Sequence, residues 1–132
     1  MIPRYSRPEM TAIWADEYKF QKWLDVEIAV VQAWADHGEV PRTDADLIAK
    51  NAKINIADID RYIAETHHDV TAFMRSVADS LGPESRWVHL GLTSSDVWDT
   101  ATSLQMMAAA DLLLAQVAKL REVVGQIGRA HV

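Results

Sequence analysis

Apolar residues recur three to four positions apart along much of this chain, and no stretch alternates apolar and polar residues as a half-buried strand does. The most regular run lies between Asp16, which can cap a helix, and Gly38, which can end one. Six large apolar side chains in this run share one face at helical spacing: Phe20, Trp23, Leu24, Val30, Val31 and Trp34. The pattern predicts a helix from about Asp16 to His37 that is buried along this face.

Three shorter helices follow, each beginning at a residue type that commonly caps or opens a helix. Their predicted starts lie at Pro41 to Thr43, at Asn55, and at Thr66 or Asp69. The first covers Ala45 to Ala52, and the third ends before Gly82-Pro83. Because every predicted element is helical, the predicted fold class is all-α.

The last predicted helix begins near Ser95 and meets no clear breaker before Gly125 and Gly128. Some 33 residues would make it roughly 50 Å long, whereas a compact chain of this size has a radius of gyration of about 14 Å. Its apolar residues between Val97 and Val124 lie on nearly every side, so it needs neighbours all round. We therefore expect this helix to join copies of the chain and to be the beginning of a longer bundle.

Composition narrows the class of protein. The chain has 132 residues, a net charge of −6 and a pI near 5.2, so nucleic acid and membrane surfaces are poor partners. It has no cysteine, which excludes disulfides and favours a reducing, cytoplasmic compartment. The most apolar stretch, residues 101–118, carries five polar side chains and is too polar for a lipid-facing span.

Polar residues interrupt this apolar helical sequence at Thr66-His67-His68-Asp69. The dipole of a helix disfavours the cationic form of a histidine at its start, so a neutral ring can donate one hydrogen bond and accept another. The alternative is that His68 only caps the helix. Side chains of three consecutive residues fan apart on a helix, so His67, His68 and Asp69 do not converge on one metal ion.

A second polar string, Thr93-Ser94-Ser95-Asp96, opens the last helix. Hydroxyls and free N–H groups at such a start either cap the helix or bind a carboxylate or phosphate, provided that Asp96 is turned away. His89, just upstream, is by itself typical of a structural loop residue. Arg4 near the N-terminus either belongs to a tail or clamps an anionic group.

These strings belong to longer ones. The chain opens with Met1-Ile2-Pro3-Arg4-Tyr5-Ser6-Arg7-Pro8-Glu9-Met10, followed by Ile13-Trp14 and Phe20-Gln21-Lys22-Trp23-Leu24-Asp25-Val26-Glu27. Later come Thr66-x-His68-Asp69-Val70-x-Ala72-Phe73 and Trp87-Val88-His89-x-Gly91-Leu92-Thr93-Ser94-x-Asp96-Val97-x-Asp99-Thr100-Ala101. In this order, and over nearly the whole chain, they resemble the bacterial adenylosuccinate lyase family of the fumarase/aspartase superfamily. Argininosuccinate lyase and fumarase share the helical architecture but not this opening.

The resemblance implies a homotetrameric lyase that needs no metal or organic cofactor. Such an enzyme removes fumarate from a small-molecule substrate, adenylosuccinate, and from the succinyl-aminoimidazole carboxamide ribotide of purine synthesis. The resemblance also implies an N-terminal helical domain at residues 1–92 and the start of a truncated central helical bundle at residues 93–132.

The resemblance further implies roles for eight residues. Arg4 and Tyr5 would contact the nucleotide. Three residues would line the same pocket, with His68 supporting proton transfer or bonding to substrate: His67, His68 and Asp69. Thr93 and Ser94 would hold a carboxylate of the succinyl group, and His89 would lie nearby as a second binding or orienting residue.

The chain departs from the family at its end. The family's acid is a histidine in a Gly-Arg-Thr-His string, and its base is a serine on a mobile loop. Gly128-Arg129-Ala130-His131 imitates the first string, but it lies too early and has Ala130 in place of threonine. We therefore interpret His131 as a decoy and the chain as the N-terminal part of a longer enzyme, inactive alone. The alternatives are another fumarate-releasing lyase and a non-catalytic helical oligomerisation module.

Overall fold

Six α-helices follow one another in the computed structural model, which describes residues 2–130. They are α1 (Pro8–Ile13), α2 (Asp16–Asp36), α3 (Arg42–Asn51), α4 (Ile56–Thr66), α5 (Asp69–Asp79) and α6 (Ser94–Ala130). Two 3-10 turns, Pro3–Tyr5 and Pro83–Trp87, complete the secondary structure. There is no strand within the described residues, and the predicted all-α class is confirmed. His131 lies outside the described residues.

Local chemistry explains where these helices begin and end. Gly38 adopts a φ of 84° directly after α2, a left-handed conformation that ends a helix at little cost for glycine. The Asn55 side chain accepts hydrogen bonds from the N–H groups of Ala57 and Asp58 and so caps α4. Helix α5 begins at Asp69, one of its two predicted starts, but the capping side chain is that of His68.

The core gathers around α2. The Trp23 ring packs edge-to-face against Phe20 and Phe73, with centroids 5.0 Å apart for Phe20–Trp23 and 5.4 Å for Trp23–Phe73. Val97 and Ala101, from the first turns of α6, are fully buried in the same cluster. The start of α6 is therefore fixed relative to α5. The division of the chain at residue 92 stays a prediction.

Helix α6 extends well beyond this core. Its 37 residues span roughly 55 Å at about 1.5 Å per residue, and Gly125 and Gly128 do not interrupt it. Large apolar side chains are exposed along its second half: Leu113, Leu114, Val117, Leu120, Val123, Val124 and Ile127. By length and composition it is the one helix in residues 2–130 that could also cross a membrane. Its first turns, however, lie in the protein core.

Candidate functional site

The two polar strings meet at an open groove where the α4–α5 junction faces the start of α6. The groove has a volume of about 690 Å³, within the range of small-molecule sites. It is lined by Ile63, His67, His68, Asp69, Ser94, Ser95 and Trp98. Four of the eight residues singled out in the sequence thus lie together: His67, His68, Asp69 and Ser94.

His67 makes the turn that joins α4 to α5. Its backbone has a φ of 53°, and its N–H donates to the carbonyl of Ile63 at 2.8 Å. A residue with a Cβ adopts this left-handed conformation at a cost of about 1 kcal/mol, and such strain often lies at functional sites. The imidazole makes no hydrogen bond to any residue in the described range, so it is available to a ligand in the groove.

His68 is held in one tautomer by its capping role. Its Nδ1 accepts a hydrogen bond from the main-chain N–H of Thr71 at 3.3 Å. This bond requires a lone pair on Nδ1, so the proton of the neutral ring lies on Nε2. The side chain is half exposed. Capping and ligand binding are therefore compatible, since one nitrogen caps α5 and the other can donate to a group in the groove.

The groove can attract an anion because two helices begin at it. The positive ends of the dipoles of α5 and α6 both lie at it, and the start of α6 also carries free N–H groups. The hydroxyls of Ser94 and Ser95 make no hydrogen bond within residues 2–130. Asp69 adds one negative charge, and its Oδ1 accepts from the N–H of Val70 at 2.8 Å. This set suits a ligand with a carboxylate or phosphate together with a hydrogen-bond donor.

Asp96 is turned away from this groove. Its Oδ2 accepts from the main-chain N–H of Thr93 at 2.7 Å and from the Thr93 hydroxyl at 3.0 Å. These two bonds hold the pKa of Asp96 below its usual value, and the nearby His89 acts in the same direction. Asp96 is therefore turned away, as an anion site in the groove requires. The Thr93 hydroxyl, however, is already hydrogen-bonded to Asp96, and Thr93 does not line the groove.

His89 lies beside α2 instead of in the groove. Its main-chain N–H and its Nδ1 both contact the carboxylate of Glu27, at 2.8 Å and 2.6 Å. His89 therefore does not line the groove with the four predicted residues, although its loop leads into the start of α6.

Arg4 and Tyr5 are also distant from the groove within one chain. The guanidinium of Arg4 stacks over the Tyr5 ring, 4.8 Å from its centroid. Three residues later, Arg7 donates to the side chain of Gln116 on α6 at 3.2 Å. Gln116 lies roughly 33 Å along the helix from Ser94 at 1.5 Å per residue. A single chain does not bring this arm to the groove.

Two lining residues were missed in the sequence, Ile63 and Trp98, whereas Ser95 belongs to the second polar string but had no role in the resemblance. Helical spacing could have found both, because Ile63 lies four residues before His67 and Trp98 four residues after Ser94. Among the described residues, no three histidine, aspartate or glutamate side chains are grouped to hold a metal ion.

The all-α fold and the groove between two helix starts agree with what known proteins show. A family model described as lyase matches residues 4–131, and the chain belongs to this family. Over 131 residues, 99% of the chain, it is 47% identical to adenylosuccinate lyases from Bacillus subtilis and Synechocystis sp.. The predicted resemblance is confirmed. The chain spans 30% of the length of these relatives.

Solved structures show the same fold. The chain matches the crystal structure of a fumarate lyase from Mesorhizobium sp. with a TM-score of 0.85 and 20% identity, covering 95% of this chain and 31% of that one. It matches a beta-carboxy-cis,cis-muconate cycloisomerase from Acinetobacter calcoaceticus with a TM-score of 0.73 and 28% identity, covering 88% of this chain and 29% of that one.

Proposed function

We propose that this chain is part of a carbon–nitrogen lyase that releases fumarate from adenylosuccinate, and from the succinyl-aminoimidazole carboxamide ribotide, in purine nucleotide synthesis. The observation that carries the proposal is the groove lined by both His68 and Ser94. The identity to two adenylosuccinate lyases supports the choice of substrate.

The groove suits the succinyl end of such a substrate. The hydroxyl of Ser94 and the first N–H groups of α6 would bind one carboxylate, and Ser95 adds a second hydroxyl. The Trp98 ring, 42% exposed, offers an apolar surface to the substrate. Asp69 would accept a hydrogen bond from a hydroxyl or amine.

The reaction needs proton transfer at two atoms. A base removes a proton from the carbon next to a carboxylate, and an acid protonates the nitrogen as its bond to carbon breaks, leaving fumarate and the amine. His68, with its proton on Nε2, would donate to the substrate and support this transfer. These 132 residues contain no Gly-Arg-Thr-His string. We therefore expect no turnover from this chain alone.

The complete site would draw on more than one copy of the chain. Arg4 and Tyr5 lie far from the groove of their own chain, so they would reach a nucleotide only in the groove of a neighbour. The exposed apolar residues on the second half of α6 supply a surface for such an assembly. We propose a homotetramer, held together through α6, as the functional form.

The test is a chimera in which this chain replaces the matching residues of the Bacillus subtilis adenylosuccinate lyase. We expect the chimera to convert adenylosuccinate to AMP and fumarate, measured by the change in ultraviolet absorbance, while this chain alone does not. A chimera that assembles but turns over neither succinyl nucleotide would refute the proposal. Turnover of argininosuccinate instead would indicate another fumarate-releasing lyase. Assembly without turnover of any of these three substrates would indicate a helical oligomerisation module.

A further inference from the structure

Glu27 is an acidic residue in the most buried part of the molecule. It lies on α2 between the core residues Val26 and Val31, and only 1% of its surface is exposed. Removing a carboxylate from water costs several kcal/mol unless hydrogen bonds replace its hydration. Within residues 2–130, both of the hydrogen bonds that do so come from a single residue, His89.

The two bonds define the state of the His89 ring. One carboxylate oxygen accepts from the His89 main-chain N–H at 2.8 Å, and the other lies 2.6 Å from Nδ1. A carboxylate can only accept, so Nδ1 carries a proton. The neutral ring then has its lone pair on Nε2, the opposite tautomer to that of His68.

Nε2 of His89 is open to a ligand. It makes no hydrogen bond to any described residue. No side-chain nitrogen or oxygen within residues 2–130 is both buried and without a partner, so Nε2 reaches the surface on a side chain that is 17% exposed. The carbonyl of His89 accepts from the main-chain N–H of Leu92 at 3.3 Å, in the loop that leads into α6. A fixed ring with a free nitrogen therefore lies in the loop directly before α6.

We infer that Glu27 is a positioning residue, which fixes the His89 ring so that Nε2 is presented, outside the groove that His68 and Ser94 line, as a hydrogen-bond acceptor to a part of the substrate that extends beyond that groove. This inference rests on the proposed lyase function. It adds a residue of α2, distant in sequence from both polar strings, to the groups that prepare the site.

The variant Glu27→Gln provides a sharp test because the amide has nearly the same shape. Its single oxygen would accept from the His89 main-chain N–H, and its NH₂ group would donate to Nδ1. The lone pair then moves to Nδ1 and the proton to Nε2. The variant thus keeps the packing and reverses the tautomer.

Trp34→Phe is the matched control. The Trp34 indole donates to the carbonyl of Leu90 at 2.9 Å and so ties the same loop to α2. If Glu27 only anchors the loop, the two variants should have similar effects. If Glu27 positions the ring, only Glu27→Gln should change the state of His89.

The first measurement is long-range proton–nitrogen NMR of the histidine rings in this chain, at a pH where they are neutral, with His89→Gln used for assignment. We expect Nδ1 of His89 to be protonated in the unmodified chain and in Trp34→Phe, and Nε2 to be protonated in Glu27→Gln. An unmodified chain with its proton on Nε2 would overturn the inference even if no variant folds.

The second measurement is steady-state kinetics in the chimera. We expect Glu27→Gln to raise KM about tenfold to hundredfold, the range for losing the partner that orients a ligand-binding histidine, with kcat changed less than about threefold. In a His89→Ala background the same change should have no further effect. If Trp34→Phe raised KM to the same extent, Glu27 would serve only to anchor the loop. A chimera without turnover would refute the proposed function, and the NMR result would still decide the role of Glu27.

Discussion

His68 combines two roles that can be separated by substitution. Its Nδ1 caps α5 through the N–H of Thr71, which leaves Nε2–H for the proposed chemistry. His68→Ala removes both. His68→Asn removes only the imidazole, because asparagine is among the best capping residues.

The expected magnitudes differ between the two variants. Loss of a cap costs about 1 kcal/mol, within a range of about 0.5–2 kcal/mol. For a chain of this size that lowers Tm by about 3–5 °C. Loss of acid–base assistance lowers turnover by about two to four orders of magnitude. His68→Ala should show both effects, whereas His68→Asn should keep its Tm within about 1 °C and lose turnover to the same extent.

Thermal unfolding of this chain, followed by circular dichroism, measures the first effect, and fumarate release by the chimera measures the second. Turnover of His68→Asn within about threefold of the unmodified chimera would leave His68 with a capping role only. Unchanged Tm in His68→Ala would show instead that the Nδ1 bond contributes nothing to stability.

Two further predictions concern the start and the exposed half of α6. The hydrogen bonds from Thr93 lower the pKa of Asp96 below its usual value of 3.8. The stability that Asp96 adds is therefore present above pH 3.8, and it is lost as the pH falls through the lower pKa of the folded state. Urea unfolding at a series of pH values gives the free energy of unfolding as a function of pH. Asp96→Asn should make this free energy fall less steeply at acidic pH, whereas Asp99→Asn should leave the fall unchanged. On the second half of the helix, Leu113→Glu with Leu120→Glu should reduce self-association in light scattering without loss of helix content, whereas Lys119→Glu should not.

The helices could be predicted from the sequence because their signals are local. Gly38 ends α2 and Asn55 caps α4, as their types and positions indicate. The predicted cap at Asp16 is wrong, because Asp16 is the first residue of α2 and no side chain caps that helix. Residue preferences did not indicate the cap of α5, because they favour oxygen-bearing side chains at this position. The capping group is the His68 ring, which reaches the N–H of Thr71.

The pairing of Glu27 with His89 could not be predicted in this way. The sequence shows an acid at an apolar position of a helix, but its partner lies 62 residues later. That partner lies in a loop with a left-handed backbone, φ 68°, a conformation that is uncommon for any residue with a Cβ. The separation of Arg4 from the groove was equally hidden, since it depends on how the N-terminal arm runs along α6.

Helix α6 both packs into the core and lines the groove. Val97 and Ala101 are fully buried against Trp23 and Phe73, while Trp98 on the same turns lines the groove. Phe73 in turn belongs to α5, the helix that His68 caps. Both polar strings therefore rest on one aromatic cluster, and neither can move without disturbing it. The groove is open in a single chain, and in the proposed homotetramer we expect a neighbouring copy packed along α6 to cover it.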